Sequence, residues 1–361
     1  MIKLLYISTN LNSSGGVSRV LSVKLNYLLE EFGYDIYIIN TNGKSGKSFY
    51  NFNKRIHISF LKPSKLRIIH FFTYRKKLNL LIKDIKPDIV INCDNGLKGS
   101  IFPYLVNIMA PVIYERHCSK NIFVVDFFER FKLILSNIIL STNINIYKYF
   151  IVLNSEERLD WNYSNVKVIS NPIWFNQPKT VRLKKNNVII AVGRFSPEKG
   201  YENLLKIWKL VADKYPDWIL KIYGEGNYDG LNKFANNLNI LDNIQLCNPE
   251  KNIENIYENA QMLLNTSKSE AFGLSIIEGM AFGLPVISFD NISGAKSSIV
   301  NGENGYAIKK DDLKAYAEKV IYLIENEDDR DRISKNAKQF VKKYNLEAIM
   351  YQWHLLYQSM C

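Results

Sequence analysis

Ser269-Glu270-Ala271-Phe272-Gly273-Leu274-Ser275-Ile276-Ile277-Glu278 is the stretch on which the reading of the chain turns. Immediately before it, Met262-Leu263-Leu264-Asn265 is a short continuous apolar run, the pattern of a buried strand. After it, a helical pattern continues to Phe282 and stops at Gly283, with Pro285 two residues on. Glycine past the last turn followed by proline is a helix stop. The stretch therefore predicts a strand, a tight loop and a helix start, with Glu270 before the helix and Glu278 inside it. Backbone N–H groups of the first turn, near residues 272–275, favour an anion there. Two carboxylates beside an anion site repel the anion unless they face neutral hydroxyls. That combination points to a ligand carrying both phosphate and sugar; two unrelated glutamates near a helix start are the plain alternative.

Working outward, the same alternation recurs. Apolar runs at 188–192, 219–223, 244–246, 262–265, 286–288 and 305–308 alternate with helical stretches at 201–214, 228–238, 252–259, 272–282 and 311–325. In the first half, strand-like runs at 2–7, 35–39, 56–60, 88–92, 112–114, 150–153 and 166–169 alternate with helical stretches at 17–32, 66–86, 98–108 and 123–139. Continuous apolar strands alternating with helices imply an α/β chain of two Rossmann-like domains with mostly parallel sheets covered on both faces. Residues 1–172 read as the first domain and 188–345 as the second. The non-periodic, proline-containing 173–187 reads as their linker. Residues 329–343 and 346–359 are helical. The segment 346–361, with Tyr351, Trp353, Leu355, Leu356 and Tyr357, is aromatic enough to require docking, with the first domain as candidate. The polar, glycine-containing 43–53 reads as a loop. Two such domains in tandem predict a ligand in the cleft between them, facing the carboxyl ends of both sheets.

Composition narrows the class. A chain of 361 residues with 47% apolar and 23% charged residues supports two proper cores and argues against large-scale disorder. Its four cysteines, Cys93, Cys118, Cys247 and Cys361, have no CxxC spacing, so no metal-ligand or disulfide framework is expected and a reducing compartment is. The first apolar run is too short for a signal peptide, and no run of 18 apolar residues predicts a transmembrane helix. The net charge of +12 sits in the first half: residues 1–180 carry 24 Lys and Arg against 12 Asp and Glu, whereas 181–361 carry 23 of each. Such a basic half suits nucleic acid, an anionic membrane surface or acidic substrates. Its densest cluster, Lys62, Lys65, Arg67, Arg75, Lys76, Lys77, Lys83 and Lys86, is interleaved with apolar residues. It reads either as a membrane-surface helix or as a surface helix whose apolar stripe packs on its own sheet.

Chemistry-bearing residues fall on loops that follow strands. Gly15-Gly16 opens the first helix, where paired glycines let amides approach a phosphate. The pattern is not GxGxxG and no acidic residue follows the second strand, which disfavours a dinucleotide dehydrogenase. In Gly193-Arg194-Phe195-Ser196-Pro197-Glu198-Lys199-Gly200 two cations stand at opposite ends of one loop, suited to clamping a diphosphate. Gly224 and Gly226 end a strand where they would line a nucleotide base. His117, in Tyr114-Glu115-Arg116-His117, is the one histidine of four that ends a sheet-core strand. Asp94 and Asn95, ending another strand, are candidates for acceptor hydroxyls.

With these residues in place, the Glu270-x7-Glu278 signature resembles that of family-4 retaining glycosyltransferases of the GT-B fold. Gly15-Gly16, Asn171-Pro172, Gly193-Arg194-x4-Lys199-Gly200 and Asn301-Gly302-x2-Asn304-Gly305 follow in the same order. The resemblance implies that Arg194 and Lys199 bind the diphosphate of a nucleotide-sugar donor, UDP above others, and that Glu278 holds the ribose hydroxyls. It implies that Glu270 and His117 contact the donor sugar, that Phe272, Gly273 and Leu274 line phosphates and sugar, and that Gly15 and Gly16 close over the phosphates. It further implies a metal-independent, retaining hexosyl transfer without a cofactor. The acceptor would be a glycan or a polyprenyl-diphosphate-linked oligosaccharide of a surface polysaccharide, such as lipopolysaccharide O-antigen or capsule. The place implied is the cytoplasmic face of the inner membrane, with peripheral attachment. Two other classes stay open at this point. One is a nucleotide-sugar epimerase or hydrolase on the same plan, which would turn over donor without acceptor. The other is a non-catalytic basic binding protein, which would bind nucleic acid with steep salt dependence.

Overall fold

The computed structural model describes residues 1–9, 11–41, 48–61, 67–175 and 186–361, with the backbone alone for 67–72. Two compact units emerge: Met1–Pro172 together with Leu346–Cys361, and Ile173–Asn345. In the first, β1 (Lys3–Ser8), α1 (Gly16–Phe32), β2 (Asp35–Asn40), β3 (His57–Phe60), α2 (Arg67–Ile85), β4 (Ile89–Asn92) and α3 (Leu97–Leu105) follow one another. They lead on to β5 (Val112–Glu115), α4 (Phe127–Asn143), β6 (Tyr149–Val152), α5 (Ser155–Asp160) and β7 (Val166–Val168). The strands pair in parallel in the order β3-β2-β1-β4-β5-β6-β7. Successive side chains of a strand point to opposite faces, so the continuous apolar runs feed two layers. Leu4, Tyr6, Ile36, Ile89 and Ile91 face α1, while Leu5, Ile7, Ile39 and Val90 face α2 and α3.

The second unit runs β8 (Val188–Val192), α6 (Tyr201–Ala212), β9 (Ile219–Tyr223), α7 (Asp229–Asn237), β10 (Ile244–Cys247), α8 (Ile253–Glu258) and β11 (Met262–Asn265). It continues with α9 (Leu274–Ala281), β12 (Val286–Phe289), α10 (Ser293–Ser298), β13 (Gly305–Ile308), α11 (Leu313–Glu325) and α12 (Glu327–Phe340). Its sheet, also all parallel, has the order β10-β9-β8-β11-β12-β13. Leu204, Leu205, Trp208 and Val211 of the amphipathic α6 pack on Ile189, Leu220 and Ile222. The final helix, α13 (Leu346–Gln358), lays Ile349, Met350, Trp353 and Tyr357 into the first unit's core, beside Leu21, Leu25 and Leu28 of α1.

Several element bounds differ from the sequence expectation for local reasons. The helix expected from 123 begins at Phe127, because the Asp126 side chain caps it by accepting from Glu129 N at 2.8 Å. The helix expected to reach 108 ends at Leu105, with Pro103 in its last turn and Val106 extended. The six-residue α5 (SEERLD) and α10 (SGAKSS) carry too few apolar residues to display a period. Of the expected linker, 176–185 lie outside the described residues, as do 43–47 of the expected loop. Ile173 N donates to Tyr344 O at 2.8 Å and the Phe175 ring meets Phe282 at 4.8 Å, so both pack within the second unit. In the basic cluster, Lys62 and Lys65 lie outside the described residues, as does the side chain of Arg67. Tyr74, Leu78, Ile82 and Ile85 of α2 are buried against its own sheet. Among the described residues no helix is long and apolar enough to cross a membrane.

Candidate active site

In the second sheet β8 and β11 are neighbours, and the strands on either side continue outward in opposite directions. At such a reversal the loops leaving the carboxyl ends diverge and open a crevice. The two loops there are 193–200 and 266–273, which carry most of the residues singled out from the sequence. They are laced together. Lys268 N donates to Glu198 O at 2.7 Å, and Thr266 Oγ1 donates to the carbonyls of Lys199 and Gly200 at 3.1 and 3.2 Å. Gly200 has φ +67°, and a Cβ there would stand 2.3 Å from Thr266 O, so only glycine permits this approach.

The lacing brings Lys199 to Glu270: Nζ donates to Oε1 at 2.6 Å. The same oxygen accepts from Ser267 Oγ at 2.5 Å and Asn265 Nδ2 at 3.4 Å. Burial alone would push the Glu270 carboxyl up, but the Lys199 ammonium and these hydrogen bonds outweigh it and hold the group below its ordinary range. Arg194, at the other end of its loop, is exposed and pairs with Glu198 at 3.0 Å. Each expected phosphate-binding cation thus has a carboxylate beside it.

Gly273 precedes α9 at φ +72° and makes no side-chain cap at the positive end of that helix, and Glu270 Oε2 lies 3.5 Å from where a Cβ on Gly273 would stand. Phe272 is buried, and the backbone of Gly294 approaches it so closely that a Cβ would lie 2.4 Å from Phe272 O. Glu278 is buried one turn into α9 and accepts a hydrogen bond from Tyr257 Oη at 2.5 Å. Gly224 sits where β9 ends against the Gly193 carbonyl, and a Cβ would come within 1.9 Å of that oxygen. Close backbone packing accounts for the glycine there.

The first sheet has its own reversal, between β1 and β4. Gly15 is the residue before α1, extended at φ −69°, and no side chain caps it. Its amide donates to Ser13 Oγ at 3.3 Å, and Gly16 is the first helical residue. Asp94, which follows β4, is 1% exposed and accepts hydrogen bonds from Thr9 Oγ1 and, at 3.0 Å, from Thr41 Oγ1. It ties together the loops after β1, β2 and β4. Its burial raises the carboxyl above the usual range despite those bonds. Asn95 beside it is exposed.

His117 follows β5 with its side chain 2% exposed and Nε2 3.4 Å from Glu115 Oε1. Glu115 also pairs with Lys24 of α1 at 2.8 Å and lies 3.5 Å from Cys93 Sγ. Burial pushes the Glu115 carboxyl up, but Lys24 and His117 pull harder and bring it down to about 2. The Lys24 ammonium lies 3.0 Å from the centre of the Trp353 ring of α13. Tyr357 of the same helix shares a 2.5 Å hydrogen bond with Tyr6. Arg116 turns the other way and binds the carbonyls of Cys118 and Ser119 at 3.0 and 3.2 Å, fixing the loop after His117. Among the described residues Cys93, Glu115 and His117 are the one set of three whose donor atoms, all within 4.8 Å, suit a metal. Lys24 already supplies a cation to that carboxylate.

Sequence spacing did not flag Lys24, Tyr257, Arg116 or Gly294. Lys24 and Tyr257 act through partners far along the chain, Arg116 through the loop just after it and Gly294 through its backbone; the one signal was Lys24, a polar residue inside an otherwise apolar helical stretch.

Two parallel α/β units, each with its loops gathered at a strand-order reversal, define the GT-B architecture. A Staphylococcus aureus TarM variant solved with Fondaparinux, alpha-GlcNAc-glycerol and UDP shares this fold, with a TM-score of 0.81 at 18% identity over 99% of this chain and 100% of its own. The family described as glycosyl transferases group 1 matches residues 172–340. An uncharacterized glycosyltransferase of Haemophilus influenzae is 28% identical over 98% of this chain and 99% of its own length. The poly(ribitol-phosphate) alpha-N-acetylglucosaminyltransferase of Staphylococcus aureus is 29% identical over 88% of this chain and 63% of its own. The chain carries a glycosyl transferases group 1 domain, GT-B and family-4-like, and is a glycosyltransferase.

Proposed function

We propose that this glycosyltransferase moves a hexosyl group from a UDP-sugar to a glycan or lipid-linked acceptor of a bacterial surface polysaccharide, with retention and without a metal. The observation that carries the reading is the gathering of Lys199, Glu270 and the uncapped start of α9 at the reversal between β8 and β11. Breaking an anomeric C–O bond leaves negative charge on the departing diphosphate. An ammonium and a helix N-terminus stabilise such charge where it develops. Arg194 adds a second cation if it exchanges Glu198 for phosphate. Glu278, which accepts from Tyr257 through Oε2, would hold the ribose hydroxyls. Glu270 and His117 would contact the donor sugar, Phe272, Gly273, Leu274 and Gly224 would line the donor, and Gly15 and Gly16 would meet its phosphates from the first unit. Retention follows if the acceptor attacks on the face from which the diphosphate leaves and a diphosphate oxygen takes its proton.

The relatives give the substrate class its support. One is named for N-acetylglucosamine transfer to poly(ribitol-phosphate), and a structure of the same fold was solved with UDP. Work on such polymers at the cytoplasmic face of a membrane fits the net charge of +12 carried by residues 1–180. The test is calorimetry with UDP- and GDP-sugars, followed by transfer assays on Glu278→Ala. Tight UDP-sugar binding that weakens at least tenfold in the variant is expected. Transfer at the unaltered rate by Glu278→Ala would sink the assignment.

A further inference from the structure

The first unit leaves one face of a long helix uncovered. On α4, Ser136 and Leu140 turn inward, with Ser136 Oγ 2.7 Å from Ser100 Oγ of α3 and Leu140 packed beside Tyr114 and Phe150. The other side of the helix carries Phe127, Phe128, Phe131, Ile134, Leu135 and Ile138, all exposed, with Phe127 76% and Phe128 72% accessible. At helical spacing 127, 131, 134 and 138 form a single stripe. A contiguous apolar surface of this kind on a folded unit marks a partner. The same side of the sheet carries α2 and α3, since Val112 of β5 packs against both apolar clusters on that side. There α2 exposes Arg75, Lys76, Lys77 and Lys83 against one exposed acid, Asp84.

We infer that this face, the apolar stripe of α4 together with the basic side of α2, lies on an anionic lipid bilayer. A helix in the plane of a membrane interface buries its apolar side among acyl chains while neighbouring cations meet the headgroups. A second copy of the chain is a poorer occupant, because a two-fold contact through the same patch would set the cations of α2 against those of its partner. The inference goes beyond the donor site and rests on the proposed function only for its purpose, that of holding the enzyme where a lipid-linked acceptor lies.

Flotation of the full chain with vesicles of equimolar phosphatidylglycerol and phosphatidylethanolamine tests it, with pure phosphatidylcholine vesicles as control. The wild-type chain is expected to float with the anionic vesicles and to release as salt rises. Phe127→Ser combined with Phe131→Ser should lower partitioning about a hundredfold. Arg75→Gln, Lys76→Gln and Lys77→Gln together should also lower it about a hundredfold and flatten the salt dependence. UDP affinity measured on the same variants checks that they are folded. A Phe131→Trp chain should shift its emission to the blue on anionic vesicles. Undiminished flotation of the serine variant, or an unmoved tryptophan spectrum, overturns the inference. So does a concentration-dependent dimer, seen by sedimentation velocity, that the serine variant abolishes. A chain that floats as expected yet transfers no sugar fails the functional proposal and keeps this one.

Discussion

Each unit holds a lysine–glutamate pair at the carboxyl end of its sheet, and the two pairs differ in who else can reach them. Lys24 and Glu115 are 2.8 Å apart with side chains 1% and 2% exposed, roofed by Trp353 and Tyr357. Lys199 and Glu270 are 2.6 Å apart, but 18% and 11% exposed, on loops rather than under a helix. The first pair is sealed, its charges in the company of each other, His117, the Cys93 thiol and aromatic rings. The second remains within reach of solvent, and its ammonium is free to trade a carboxylate for a phosphate. One arrangement sets the position of a neighbouring histidine; the other suits exchange with a ligand.

Separating the sealed pair should have the largest effect. Lys24→Met leaves a buried carboxylate uncompensated and should cost about 3–5 kcal/mol of stability, read as a lower melting temperature. Lys24→Met with Glu115→Leu should recover most of that loss, because two apolar side chains replace two buried charges. A double variant no better than the single one would mean that the pair does more than neutralise itself. Lys199→Ala should behave oppositely. Its melting temperature should change little, while kcat/KM for the UDP-sugar falls about a hundred- to a thousandfold, as when one preorganised charge partner of a transition state is removed. A variant that melts early and retains its rate would erase the distinction between the pairs.

Acid offers a smaller and graded test. The Glu115 carboxyl lies lower in the folded chain, at about 2, than its ordinary 4.5, so its contribution is fully present above pH 4.5 and is lost as the pH falls toward 2. The full loss is on the order of 3 kcal/mol, of which about 2 kcal/mol falls between pH 6 and pH 3, where urea unfolding measures it. Glu270 shifts in the same direction and adds to the same window. Lys24→Met should flatten this acid limb, and an unchanged limb would place its origin elsewhere.

The sequence made one side of this comparison readable and hid the other. Lys199, Glu270 and Glu278 stand on loops and a helix start whose apolar flanks announce them, and the strand-order reversal gathers them as alternating strands and helices imply. Lys24 gives no such signal. It is a lone cation in an apolar stretch of α1, and its partner lies 91 residues away on another strand. Tyr257, the donor to Glu278, likewise reads as one more core aromatic of α8. Periodicity also shows which residues share a face without showing which way the face turns. The apolar side of α2 packs inward, whereas the equally regular stripe of α4 stays uncovered. Local pattern specifies elements, and pairing across the sheet decides the rest.

The passage of the chain through the second unit before α13 returns to the first has a consequence for how the protein is made. Residues 1–172 leave the ribosome early, yet Lys24 and Tyr6 acquire Trp353 and Tyr357 only after residues 346–358 have been synthesised. At ordinary translation rates that interval is roughly 10–40 s. The unit begun first is completed last. Throughout that interval the nascent chain carries an apolar patch that α13 later covers.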